Sequence, residues 1–239
     1  MRLDKYVSAA ADLSRRDAAR AISKGRVSVN GSVVRDGASH IDESATVTLD
    51  GQEIMYQKFI YIMLHKPAGY ITATEDARPG ELVVLDLLPP ELMRRGLFPV
   101  GRLDRDTTGL LIITNDGVSA HRALSPKHHV AKSYRFTCSP PLTKEMEAAL
   151  ERGVNIGEKN AVGDTVLTAP AVINGDIITI TEGKFHQIKR MFAAVGSGIT
   201  SLCRVEFSGI PLDPSLAPGE WRYLDDHEIA LFTDGKTDV

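Results

Sequence analysis

Two short apolar runs constrain this chain most: Phe59-Ile60-Tyr61-Ile62-Met63-Leu64 and Leu110-Leu111-Ile112-Ile113. An apolar run of four to eight residues bounded by turn signals reads as a buried strand. The first run ends at Lys66-Pro67-Ala68-Gly69, a turn, and the second at Asn115-Asp116-Gly117, another. Neither approaches the roughly 18 apolar residues of a membrane span. With 43% hydrophobic and 25% charged residues, the balance is that of a soluble globular protein. A chain of 239 residues can bury a core without covalent staples, which excludes disorder and a collagen-like fold. At roughly 150 residues per domain, it makes one domain or two unequal ones. Cys138 and Cys203 form no C-x-x-C pair, so a zinc ribbon and a redox motif are excluded and a reduced, cytoplasmic setting is expected. Met1-Arg2-Leu3-Asp4-Lys5 leads into no apolar stretch of signal-peptide type.

Charge is unevenly distributed. The whole chain carries 28 basic and 31 acidic residues, a net −3. Residues 1–35 hold eight basic side chains (Arg2, Lys5, Arg15, Arg16, Arg20, Lys24, Arg26, Arg35) and three acids, a balance of +5. The remainder, 20 basic against 28 acidic, is −8. A basic end on an acidic body points to a polyanion partner.

That basic end has a readable order. Leu3, Val7, Ala10 and Ala11 recur at helical spacing over residues 2–11. Ser14, with Asp17 three positions on, predicts the N-cap of a second helix running to Lys24, with Gly25 as its stop. Arg16, Arg20 and Lys24 are four apart and form one stripe, while Ala18 and Ile22 can face the core. Val27 and Val29 alternate as in a strand, and Asn30-Gly31 predicts a hairpin before Val33. The basic stripe reads as a solvated helix face or as a set of phosphate contacts; phosphate contacts supply affinity rather than sequence choice. A boundary is expected in the polar stretch Gly51–Lys58, giving domains 1–58 and 59–239. The polar end Thr233–Val239 is expected to fray.

The most distinctive segment of the body is Gly101-Arg102-Leu103-Asp104-Arg105-Asp106-Thr107-Thr108-Gly109, just ahead of the second apolar run. Asp104 therefore stands in a glycine-flanked loop just before a buried strand, where catalytic groups are commonly held. Asp104, Asp106, Thr108 and Gly109 also match half of a calcium loop, but its twelfth position is Asn115 where a bidentate Glu is needed. In a third reading the two acids cap turns or pair with Arg102 and Arg105. His121, His128, His129 and His186 have no Cys partner, and His128 and His129 are adjacent, so no metal site is expected.

Several motifs carry a resemblance. Arg2-Leu3-Asp4-Lys5, Ser14-Arg15 and Gly25-Arg26-Val27-Ser28-Val29-Asn30-Gly31 resemble the S4 RNA-binding domain over about residues 1–50. Gly101–Asp104 with Thr107-Thr108-Gly109-Leu110-Leu111 resembles the catalytic motif of the RsuA family of rRNA pseudouridine synthases. Lys132-Ser133-Tyr134 resembles that family's second motif, and Glu182–Phe192 its third, in the same order.

The resemblance implies a small S4-like α+β domain before an α+β body with a largely antiparallel mixed sheet. It implies isomerisation of one uridine in 16S rRNA, free or in a small-subunit assembly intermediate, by a cytoplasmic, monomeric enzyme. Asp104 falls on the invariant aspartate, Tyr134 on the base-contacting tyrosine, Ile188 on the apolar contact and Lys184 on the cation that keeps Asp104 ionised, with Lys189 and Arg190 as fallbacks. Arg2, Lys5, Arg15, Arg16, Arg20, Lys24, Arg26, Arg102, Lys189 and Arg190 are the expected RNA contacts. The reaction neither gains nor loses atoms, so no cofactor or metal is expected. The competing readings are a large-subunit rRNA synthase and a non-catalytic RNA-binding assembly factor. An aspartate-dependent glycosidase would need a second carboxylate across the scissile bond.

Overall fold

The computed structural model describes residues 1–42, 44–75, 80–93, 95–159 and 163–234. The chain divides into two compact units, residues 1–60 with 89–97, and residues 61–88 with 98–239.

In the first unit, α1 (Leu3–Ala10) and α2 (Arg15–Ser23) precede β1 (Val27–Val29), β2 (Ser32–Val33), β3 (Val47–Leu49) and β4 (Gln52–Ile54). Ser14 caps α2: its Oγ accepts from the Asp17 N–H at 3.1 Å, and the helix ends on Lys24 and a left-handed Gly25. Asn30 (φ 48°) and Gly31 (φ 80°) make the turn that sets Val29 opposite Ser32. Asn30 Oδ1 also accepts from the Thr46 N–H at 3.0 Å, tying the turn to the chain entering β3. The four strands run in the order β2-β1-β3-β4. Leu3, Tyr6, Val7, Ala18, Ala21, Ile22, Val27 and Val47 fill the core. The short α3 (Pro90–Met93) belongs to this unit by its contacts, though it lies far along the chain.

The second unit is built on a nine-stranded sheet. Its elements in chain order are β5 (Tyr61–Lys66), β6 (Phe98–Pro99), β7 (Thr108–Thr114), α4 (Gly117–Leu124), β8 (Lys132–Ser139) and α5 (Lys144–Arg152). After these come β9 (Asn155–Lys159), β10 (Thr165–Leu167), β11 (Val172–Asn174), β12 (Ile177–Ile180), α6 (Gln187–Ala194) and β13 (Gly198–Phe207). The last are β14 (Ile210–Pro211), β15 (Trp221–Tyr223) and α7 (Asp226–Asp234). The main order is β11-β12-β8-β13-β7-β5-β15, with β14 on β13 and β6 on β7, while β9 and β10 pair separately.

The β7–β13 ladder is parallel and the other strand ladders of this sheet are antiparallel, so the expected largely antiparallel mixed sheet is present. That parallel seam requires Gly109. It stands opposite Arg204 at φ 100°, and a Cβ there would lie 2.2 Å from the Arg204 carbonyl oxygen.

The two apolar runs become the sheet's centre. Leu110, Leu111, Ile112 and Ile113 are fully buried on β7, paired with β5. The first run starts pairing only at Tyr61, opposite Thr114, and continues to a fully buried Lys66, while Phe59 is exposed. The turn expected at Asn115-Asp116-Gly117 is instead the start of α4. Asp116 Oδ1 accepts from the Val118 and Ser119 N–H groups at 3.1 and 3.2 Å, and Oδ2 accepts from the Tyr61 hydroxyl at 2.8 Å. Burial pushes the Asp116 carboxyl up, but these donors outweigh it and hold it below its usual value. On α6, Phe192 is fully buried and meets Phe136 of β8 edge-to-face, ring centroids 4.9 Å apart. Burying such a ring stabilises by roughly 1.5–3 kcal/mol. Thr233 and Asp234 continue α7 rather than fraying; residues 235–239 lie outside the described residues.

Candidate active site

Asp104 sits in the loop between β6 and β7, and that loop is fastened from several sides. Leu103 is buried, and its N–H and C=O both bond Thr72 Oγ1, at 3.1 and 2.8 Å. The Gly69 N–H donates to the Arg105 carbonyl at 2.8 Å, and Arg105 Nε returns a bond to the Gly69 carbonyl at 3.1 Å. Beneath the loop, the Lys66 ammonium donates to the carbonyls of Pro67, Arg105 and Thr107 at 3.1, 3.3 and 2.8 Å. Burial lowers the Lys66 pKa to about 8, against the pull of Asp106 and Asp104 in the other direction. Three carbonyl acceptors use all three ammonium donors, so a buried lysine is tolerated here and the loop is held rigidly.

The carboxylate meets two side chains from the start of α6, its N-cap His186 and Lys189 of its first turn. Lys189 Nζ is 3.0 Å from Asp104 Oδ2, and His186 Nε2 is 3.4 Å from Asp104 Oδ1. Lys189 also donates to Asp106 Oδ1 at 2.6 Å, bridging both acids of the motif. Burial alone would lower the Lys189 pKa, but Asp106 and Asp104 together raise it. Its hydrogen bond in turn holds Asp106 below the usual carboxylate range.

These groups open into a cleft of about 450 Å³, continuous with solvent. Its wall includes Arg102, Tyr134, Ile180, Lys184, Ile188 and Leu202. Tyr134 is 7% exposed on β8, between Ile178 of β12 and Arg204 of β13. Ile188, 4% exposed, lies in the first turn of α6. The cleft thus joins a partly exposed carboxylate, a fixed cation, an aromatic ring and an aliphatic wall.

Six residues named from the sequence, Arg102, Asp104, Tyr134, Lys184, Ile188 and Lys189, line one cleft. Of the cations expected at the carboxylate, the fallback Lys189 stands beside it and Lys184 does not. Lys184 Nζ pairs with Glu182 Oε2 at 2.6 Å, because that acid stands two residues behind it on the same extended segment. Lys189, in the first turn of α6, reaches the loop instead. Arg190 also departs from its expected place. Its guanidinium bonds Glu158 Oε1 at 2.8 Å, the Phe185 carbonyl at 3.1 Å and the Ile156 carbonyl, fastening β9 to the start of α6.

Sequence reasoning missed Lys66, His186 and the bridging contact of Asp106. The first had a signal: a lysine closing an apolar strand must find buried acceptors.

Residues 60–194 match the family described as RNA pseudouridylate synthase, and residues 1–47 match the S4 domain. The chain belongs to the RNA pseudouridylate synthase family.

Similar proteins of this family span nearly the whole chain. One is the "Uncharacterized RNA pseudouridine synthase YtzG" of Bacillus subtilis (strain 168), 42% identical and covering 98% of this chain and 99% of its own. Another is the "Ribosomal small subunit pseudouridine synthase A" of Escherichia coli (strain K12), 41% identical over 96% of this chain and 99% of its own. The protein of that name from Vibrio vulnificus (strain CMCP6) is 40% identical over 96% and 98%. A solved structure titled "Crystal structure of pseudouridylate synthase" matches with a TM-score of 0.65 at 35% identity, covering 97% of this chain and 99% of that one.

In the S4 domain of this pseudouridine synthase, Lys5, Arg15, Arg16, Arg20 and Lys24 are exposed, and the Arg16–Arg20–Lys24 stripe lies opposite the buried Ala18 and Ile22. Arg2 is paired with Asp4 at 2.7 Å. Arg26 Nε donates to Asp50 Oδ1 at 2.7 Å, so both guanidiniums are partly neutralised.

Proposed function

We propose that this chain converts one uridine of small-subunit ribosomal RNA to pseudouridine, with Asp104 as its reacting carboxylate. The observation that carries this reading is the Asp104–Lys189 pair, 3.0 Å apart, in a cleft lined by Tyr134 and Ile188. The two relatives described as ribosomal small subunit pseudouridine synthase A, 40–41% identical along nearly the full chain, support the small-subunit target.

The reaction breaks the bond from uracil N1 to ribose C1′, turns the ring, and forms a bond from C5 to C1′. A proton leaves C5 and one is taken up at N1, so atoms and charge balance without a cofactor or metal. Asp104 acts at the ribose, which requires its ionised form. When RNA closes the cleft, desolvation pushes a carboxyl toward its neutral form, and the Lys189 charge opposes this. Tyr134 stacks on the uracil, an interaction worth roughly 1–3 kcal/mol per base. Ile188 packs against the ring. Arg102 at the cleft mouth and the exposed stripe of α2 contact phosphates, which position the RNA without reading its sequence. The enzyme works in the cytoplasm, where ribosomal subunits are assembled.

Asp104→Asn tests the assignment. Asn keeps the shape but cannot serve as nucleophile or base. The variant should form no measurable pseudouridine in 16S rRNA while binding that RNA within a few-fold of wild type. Conversion near the wild-type rate would overturn the role of Asp104.

A further inference from the structure

Beside the carboxylate, the cleft rim carries a pair of stacked rings that the proposed chemistry does not use. Phe185 is 71% exposed, more than Tyr223 or Phe59, the other exposed aromatic side chains among the described residues. One face of its ring lies on the His186 imidazole, centroids 3.9 Å apart and planes 17° from parallel. The imidazole is in turn 3.4 Å from Asp104.

The pair is held, not loose. The Phe185 carbonyl accepts from Arg190 Nη1 at 3.1 Å, and Arg190 is itself fixed on Glu158 at 2.8 Å. His186 adopts a left-handed backbone, φ 48° and ψ 36°, which a non-glycine residue takes only at a cost. The strained position is what turns the imidazole toward the carboxylate and lays it against Phe185. The outer face of Phe185 is left in water, next to a cleft lined by the exposed Arg102 and by Lys184 and Lys189, whose charges are paired with Glu182 and with Asp104 and Asp106.

We infer that Phe185 and His186 form a stacking platform for the nucleobase adjacent to the target uridine. The occupant follows from the surroundings. A flat apolar face beside cations fits a base attached to a phosphate backbone. RNA sites that admit a flipped nucleotide leave its neighbours unstacked and in need of a new partner. Every base has a π-face, so the platform accepts any neighbour and contributes affinity and positioning rather than sequence choice. This inference rests on the proposed uridine chemistry of the same cleft, and it predicts which nucleotide the rim holds.

The test uses a heptaribonucleotide of uridines with 2-aminopurine at its fourth position, a base whose fluorescence falls when it stacks. Saturating wild-type protein and Phe185→Trp should quench it. Phe185→Leu, which keeps apolar bulk under His186 but has no ring, should bind on the order of tenfold more weakly and leave the bound probe bright. With 16S rRNA as substrate, Phe185→Leu should raise KM by a similar factor and change kcat less than about twofold. An unquenched probe on wild-type protein, or equal quenching by Phe185→Leu, overturns the platform. Pseudouridine formation by the same wild-type preparation separates the two readings: quenching without conversion of 16S rRNA refutes the proposed reaction and leaves the platform standing.

Discussion

Lys189 stands between two carboxylates, 3.0 Å from Asp104 and 2.6 Å from Asp106. If Lys189 is the partner of Asp104 in the reaction, Lys189→Met should lower kcat on the order of a hundredfold. Lys189→Arg should retain much of the rate. Lys184→Met should lose far less, because Lys184 spends its charge on Glu182. Single-turnover rates at saturating RNA read all three; a near wild-type rate in Lys189→Met would remove Lys189 from this role. The aspartate could be found in the sequence because Gly101–Asp104 and Thr107–Leu111 frame it, but its cation could not. Lys184, Lys189 and Arg190 lie within seven residues, and their spacing does not say which head group reaches the loop. That depends on α6 starting at Gln187: successive helical residues point 100° apart, so Lys189 meets the loop and Arg190 turns to β9.

The helices and turns of the first unit were legible because their signals are local. Ser14 and Asp17 mark a helix start within four residues, and Asn30-Gly31 marks a hairpin within two. The same kind of signal misled at Asn115-Asp116-Gly117, since a residue that favours turns also favours the N-cap. Asp116 became a cap because its second oxygen meets Tyr61, 55 positions back. The α2 stripe makes a prediction at this scale. Replacing Arg16, Arg20 and Lys24 by Ala should weaken rRNA binding and flatten its dependence on salt. The loss is about 0.9 in logarithmic slope for each duplex phosphate contact removed, or about 0.7 in single strands. The rate at saturating RNA should change little, as the stripe is in the S4 domain and the reacting groups are in the other unit. A salt titration with an unchanged slope would make the stripe a solvated face.

The nine-stranded sheet is where local reading stops. Two of its strands, β5 and β7, could be found as apolar runs, but the parallel seam joins residues 95 positions apart, Thr108 and Cys203, and no local pattern specifies that partner. Only the resemblance supplied the architecture. The sheet also buries two lysines at a cost. Lys66 and Lys132 are lowered to about 8, in both cases first by burial and for Lys132 also by Arg204. The unfolded chain holds these protons up to about 10.4. Between those values the unfolded state binds more protons, so stability should rise with pH from about 8 to 10, and should lose this gain as pH falls. Urea midpoints at pH 8 and 9.5 should differ less in Lys132→Met than in wild type; an identical difference would contradict the lowered value.

Mapping pseudouridine across all rRNA from cells with and without the protein decides whether the proposed target is a uridine of 16S rRNA and whether Asp104 is the reacting group. One 16S position should lose its pseudouridine and regain it with the wild-type chain but not with Asp104→Asn. An unchanged 16S profile, or a loss confined to 23S rRNA, would contradict the proposed target.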